Sequence, residues 1–370
     1  MADVPKTIKT WQMVAPWRKN KETGEKIPGQ LQLTEIPVPE LKEGDVLVKI
    51  AGCGVCHTDL GFFFDAVPTV TKPPLTLGHE VSGTVVAGDP KWIGKEVLIP
   101  AVLPCRKCEL CKTGRGNRCL NQMFLGCSHG IYGGNSDYIP VPSLDLCEIK
   151  NRPSTRPLEN YSVASDAITT PYQAMIKAKV GIGDNVIVIG ATGGVGLYTA
   201  QIAKAMGADV VIGIDIAEQK LQKMLNYGCD FVIMNKDKSN KDVIGEYRAI
   251  CKANALPNYG WKIFEVSGNK FGQALALDLL SFTGTMVQIG FGLASLDFNV
   301  SRLMAFDATI MGTWACLPEY YPHVLSLIHS GKIQIDPFLE VRPMSSIAAT
   351  YDEVHKAGSP EKRIVLKPDF

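Results

Sequence analysis

The chain has 370 residues, 46% hydrophobic and 20% charged, with 38 Lys and Arg against 37 Asp and Glu. That length exceeds one ordinary core, so two domains are expected, and a net charge of +1 argues against a nucleic-acid or polybasic membrane partner. No run approaches the roughly 18 apolar residues of a spanning helix, and the start lacks the apolar stretch of a secretory signal. A cytoplasmic protein is expected, so its 11 cysteines read as metal ligands or buried thiols rather than disulfides.

Residues 1–50 read as β-rich, with strands at 31–40 and 45–55. The insert 17–29 is polar and turn-rich, an exposed hairpin or loop carrying Arg18, Lys19, Lys21 and Lys26. A solvated loop explains these charges; contact with a phosphate-bearing substrate is the sharper alternative. Residues 53–138 are dense in Gly, Cys, Pro and His, with short strands at 81–88 and 96–102, which suggests a β-rich domain with functional loops. Three phenylalanines, Phe62 to Phe64, suit either an apolar substrate group or core.

Cys105, Cys108, Cys111 and Cys119 stand at spacings that suit a closed tetrahedral zinc site. A [4Fe–4S] cluster is the rival, disfavoured by the missing Cys-Pro and the long last gap. Thr170 is expected to cap a helix that begins at Pro171.

Residues 186–215 read as buried strand, glycine turn, helix, strand and terminal Asp215. This is the βαβ unit that binds dinucleotides, with glycines approaching the pyrophosphate and a helix start favouring its charge. Gly190, Gly193, Gly194, Val195 and Gly196 form the expected cofactor turn. The first glycine of the usual pattern is either replaced by Ala191 or moved to Gly190. Asp215 suits the ribose hydroxyls of NAD and would repel the extra phosphate of NADP. Strand-like segments at 231, 262, 284 and 309, separated by helical patterns, extend a doubly wound parallel sheet. The tail mixes helix and strand and is expected to return to the first domain. The expected division is 1–165 with 315–370, and an inserted nucleotide domain at 166–314.

The segments GVCHTD, GHEVSG, the four-cysteine lobe and GDNVIVIGATGGVG stand in one order, in which the chain resembles the zinc-dependent medium-chain alcohol dehydrogenases nearly end to end. The resemblance implies an α/β fold, a Rossmann sheet inserted in a GroES-like catalytic domain. It also implies NAD and two zinc ions per subunit, one catalytic and one structural, in a dimer or tetramer. Cys56 and His79 match catalytic zinc ligands, Glu80 a glutamate beside the metal, and Asp166 the third ligand, although Asp166 could also serve as a helix cap. Thr58 matches the hydroxyl that takes the alcohol proton, and His57 a cofactor-phosphate contact. Lys220 matches a lysine near the adenosine ribose, and Asp59 an orienting carboxylate. A relay histidine of other members is replaced by Gly61. His129 is a further substrate or relay expectation. Cys53 reads as packing.

The implied reaction is NAD-dependent oxidation of a small-molecule alcohol. The wording at 61–80 also resembles dehydrogenases of a ring alcohol carried on coenzyme A, so a CoA thioester is one expected partner. Simple secondary alcohols or polyols, and zinc-dependent hydration of a conjugated acyl-CoA, are the alternatives.

Overall fold

Alternating apolar residues make Asp45–Gly54 the central strand of the first unit, where Val46, Leu47, Val48, Ile50 and Cys53 are buried. Cys53 is therefore core, as its sequence context suggests. The computed structural model describes residues 5–357 and 361–370; 1–4 and 358–360 of the expected first domain lie outside them. Asp45–Gly54 pairs antiparallel with Glu80–Gly88, Tyr138–Pro142 and Arg363–Lys367. Glu80–Gly88 continues to Glu96–Ile99. The last strand, Arg363–Lys367, thus closes a sheet begun near the start of the chain. Residues 17–29 do form a hairpin, with Arg18–Lys19 paired to Lys26–Ile27.

The second unit holds a six-stranded, all-parallel sheet. Its spatial order is Phe231–Met234, Val210–Asp215, Asn185–Ile189, Lys262–Glu265, Thr285–Gln288 and Thr309–Gly312. In chain order this is 3-2-1-4-5-6, the doubly wound dinucleotide arrangement. The order reverses between Asn185–Ile189 and Lys262–Glu265, and ligands of such sheets bind beyond the carboxyl ends of strands at that point. Helix Asn240–Ala253 buries Val243, Tyr247 and Cys251 and starts in a Ser239/Asp242 capping box.

Contacts divide the chain into two compact units: residues up to Thr169 with Ala315–Ser326 and from Ile335 onward, and Thr170–Trp314 with Leu327–Gln334. Two boundaries differ from expectation. Asp166 falls in the first unit, because the segment Leu158–Ser165 before it packs on Asp45–Gly54 and Glu80–Gly88. Leu327–Gln334 joins the second unit, where buried Gln201 accepts from Gln334 N at 2.7 Å. The helix expected to begin at Pro171 begins at Thr169, so Thr170 is not its cap. Among the described residues no helix is long and apolar enough to cross a membrane.

Candidate active site

Cys56 sits where the strand Asp45–Gly54 gives way to the helix His57–Phe64 and occupies its N-cap position. His79 and Glu80 stand at the start of the neighbouring strand Glu80–Gly88, and Asp166 follows the 3₁₀ segment Leu158–Ser165. One donor atom from each of Cys56, His79, Glu80 and Asp166 lies within 4.8 Å of the others, and all but Asp166 are buried. His79 Nε2 is 3.6 Å from Asp166 Oδ2. The opposite ring nitrogen, Nδ1, is 3.1 Å from Asp59 Oδ1, which also accepts from Gly78 N at 3.0 Å. Asp59 thus fixes the ring so that Nε2 faces the other donors, the arrangement that orients a metal-bound histidine. Burial disfavours the His79 imidazolium, but Asp59, Cys56 and Asp166 outweigh it and raise its pKa well above the usual value. Metal binding would therefore displace a proton from His79.

Glu80 is fully buried and paired to Arg363, whose Nε donates to Glu80 Oε2 at 3.1 Å and whose Nη2 donates to Oε1. Burial raises the Glu80 carboxyl, with Arg363 opposing. Nothing local in the sequence indicates Arg363. The Phe124 and His79 rings meet in a T-shaped contact, at 5.2 Å between centroids. Thr58 Oγ1 is 3.7 Å from Cys56 Sγ and half-buried, while His57 is exposed. Gly61 is buried and offers no side chain to a relay; a Cβ there would make ordinary van der Waals contact with Val67 at 3.4 Å.

Of the two ring nitrogens of His129, expected for substrate or relay, Nε2 is engaged with Pro140 O at 2.7 Å, and burial lowers the pKa. Phe62 and Phe63 belong to the core, which settles two of the three phenylalanines as packing.

In the cysteine lobe, Cys108 Sγ lies 3.5 Å from Cys111 Sγ and 3.7 Å from Cys119 Sγ. A tetrahedron of Zn–S bonds near 2.3 Å has edges of about 3.8 Å, so the four sulfurs fit zinc. Backbone N–H groups support the negative sulfurs. Lys107 N and Cys108 N donate to Cys105, lowering its pKa to about 6, and Cys105 N and Asn121 N donate to Cys119. Burial pushes Cys111 up to about 12, so metal binding at this thiol would be coupled to loss of its proton.

The nucleotide turn begins at Gly190, which has φ +87°. Ala191 is not left-handed; the turn glycine has moved to Gly190. Gly193 N donates to Gly190 O at 3.1 Å, and a Cβ at Gly196 would lie 1.9 Å from Gly190 O. The helix Gly196–Ala205, with Val195 at its N-cap, has no side-chain cap, which suits an anion. Gly194 completes the turn. Asp215 accepts from Thr192 N (2.9 Å), Ile216 N (2.7 Å) and Ala217 N (3.2 Å). A carboxylate has about four acceptor sites, so capacity remains for ribose. Lys220 lies in the helix Glu218–Lys223 beyond it. Buried Glu265 was missed by the motif reading. It accepts from Ser267 N, Gly268 N and Gln288 Nε2 and fixes the loop against which Gly190 packs.

Comparison with known proteins accords with this geometry. Residues 42–151 match the alcohol dehydrogenase GroES-like domain, and residues 194–330 match the zinc-binding dehydrogenase family. The chain is 31% identical over 346 residues to an alcohol dehydrogenase of Geobacillus stearothermophilus, covering 91% of this chain and 95% of that one. The chain belongs to the zinc-binding alcohol dehydrogenase family. It is also 27% identical over 342 residues to a sorbitol dehydrogenase of Bombyx mori, covering 90% and 95% of the two chains. The structure of an acetophenone reductase from Geotrichum candidum in complex with NAD superposes with a TM-score of 0.79 at 26% identity, over 99% of this chain and 98% of that one. As a member of this family the chain is an NAD-dependent, zinc-associated oxidoreductase acting on CH–OH groups. Its GroES-like part carries both clusters of metal donors, and its Rossmann part is an NAD-binding fold.

Proposed function

We propose that the chain interconverts a secondary alcohol and its ketone, with a cyclic alcohol or a polyol as substrate. The observation that carries this is the convergence of Cys56, His79, Glu80 and Asp166 donor atoms in one site. The names of the sorbitol dehydrogenase and acetophenone reductase relatives support the substrate class. When bound, zinc would supply a Lewis acid for the hydroxyl and NAD a hydride acceptor.

In this reading Cys56, His79 and Asp166 hold the catalytic metal, with Glu80 beside it, and Cys105, Cys108, Cys111 and Cys119 hold a structural one. Asp59 keeps His79 in the ligating tautomer. Thr58 accepts the substrate proton through its hydroxyl, and His57 contacts a cofactor phosphate. Gly190, Gly193, Gly194, Val195 and Gly196 approach the pyrophosphate, while Asp215 and Lys220 engage the adenosine ribose. The test is NAD-dependent oxidation of a panel of secondary alcohols together with metal analysis. A Cys56→Ala variant should lose one zinc and its turnover together; full turnover without that zinc would sink the reading.

A finer reading is favoured by the exposed hairpin carrying Arg18, Lys19, Lys21 and Lys26. Its cations suit the phosphates of coenzyme A, which makes 6-hydroxycyclohex-1-ene-1-carbonyl-CoA, from anaerobic benzoyl-CoA degradation, the substrate to try. Equal efficiency with a simple cyclohexanol would overturn it. Incubation with the conjugated acyl-CoA would also reveal any hydratase activity as a hydrated product.

A further inference from the structure

Of the four catalytic metal donors, Asp166 has the least support of its own. Cys56, His79 and Glu80 are buried at the ends of paired strands or a helix, whereas Asp166 is partly exposed and leaves a 3₁₀ segment with φ −145° and ψ −55°. Its placement must come from outside its own segment. The peptide before it is held twice. Ser165 Oγ donates to Val81 O at 2.7 Å, tying it to the strand that begins at Glu80. Tyr321 Oη donates to Ser165 O at 2.5 Å and accepts from Ala101 N at 3.2 Å. The Tyr321 side chain is fully buried, so both hydroxyl bonds are made in a place where an unmade one would be costly.

Tyr321 is itself anchored. It opens the helix Tyr321–His329, directly after the turn Pro318–Tyr320. In that turn Glu319 pairs with Arg106 of the cysteine lobe, and Arg106 also donates from Nε to Asp145 at 3.0 Å. One short segment therefore touches both the cysteine lobe and the peptide that carries Asp166.

We propose that Tyr321 is a positioning residue for the catalytic metal, its hydroxyl fixing the Ser165–Asp166 peptide so that the Asp166 carboxylate meets the other donors. The proposal rests on the reading of Asp166 as third ligand. A purely packing role would need only the ring, which Tyr321→Phe retains.

The experiment titrates Co²⁺ into metal-depleted full-length protein, following the visible bands of each site, for wild type, Tyr321→Phe and Asp166→Asn. In Tyr321→Phe, Co²⁺ affinity at the catalytic site falls about 10–100-fold, the range for loss of an outer-shell partner, while the thiolate bands of the cysteine lobe are unchanged. Catalytic-site affinity within twofold of wild type, alongside a large loss in Asp166→Asn, would overturn the role of Tyr321. An unchanged affinity in Asp166→Asn would instead overturn the ligand reading beneath it. If Tyr321→Phe does not fold, 3-fluorotyrosine at this one position keeps the ring and hydroxyl but alters the donor strength. A displaced catalytic-site Co²⁺ band then supports the proposal, and an unmoved band counts against it.

Discussion

Glu80, one of four residues whose donor atoms cluster with metal-ligand spacing, forms a buried ion pair with Arg363, 283 positions away. Removing one partner of such a pair leaves an uncompensated buried charge, typically destabilising by about 3–5 kcal/mol. Arg363→Met should lose stability on that scale at neutral pH. The sign of its pH dependence follows from burial, which raises the Glu80 pKa above its ordinary 4.5. The folded chain then holds a proton that the unfolded chain has released, so stability falls as pH rises from about 4.5 through the raised folded value. The deficit of Arg363→Met should be smaller at pH 5 than at pH 8 in urea unfolding at fixed zinc. A deficit equal at both pH values would count against this account.

Glycine substitutions should separate folding from cofactor binding. Gly196→Ala places a Cβ 1.9 Å from Gly190 O, so backbone must move, and overpacking of this kind costs about 1–3 kcal/mol. At Gly193 the nearest atom is 3.4 Å from a built Cβ. Gly193→Ala should therefore melt like wild type yet bind NAD more weakly if, as proposed, this turn approaches the pyrophosphate. Thermal melts and NAD titration of both variants check this.

Asp215→Ser should invert part of the cofactor preference. Hydrogen bonds to a charged group contribute about 1.5–3 kcal/mol, so kcat/KM for NAD should drop about 10–100-fold. The value for NADP should rise as the repulsion disappears. Parallel drops for both cofactors would show that Asp215 acts only through the backbone amides of Thr192, Ile216 and Ala217.

Thr58→Ala should lower kcat by about 10²–10⁴, the usual contribution of a positioned proton acceptor, with zinc content unchanged. Thr58→Ser should restore most of it. Steady-state rates alongside metal analysis decide the matter; a Ser variant as slow as Ala would remove the hydroxyl from the mechanism.

Much of this was legible because the signals are local. The strand Asn185–Ile189, the turn from Gly190 and the acid at Asp215 lie within one short stretch, and each carries its own periodicity or backbone demand. The cysteine lobe is legible for the same reason. Arg363 and Tyr321 are not, because their roles come from a distant strand and helix returning to the first unit. Glu265 is hidden differently: it reads as an ordinary strand end, and only the fold shows Ser267 N and Gly268 N from the following loop and Gln288 Nε2 from the neighbouring strand converging on it. For His129 the sequence shows a histidine among glycines, whereas only the fold shows the Pro140 carbonyl engaging its Nε2.

The sheet that leads into Cys56 is completed by Val365 and Leu366, which pair with Gly54 and Cys53. During synthesis the first unit therefore leaves the ribosome with only the Cys53–Gly54 end of that strand unpaired on one side, because Tyr138–Pro142 already covers Asp45–Lys49. About 300 residues must follow, which at about 5–20 residues per second takes about 15–60 s. The nucleotide-binding half is encoded almost wholly inside that interval and can fold first. Truncations near the C-terminus should thus yield a chain that still binds NAD but exposes a β-edge where its metal site ought to be, a form that chaperones and proteases would meet first.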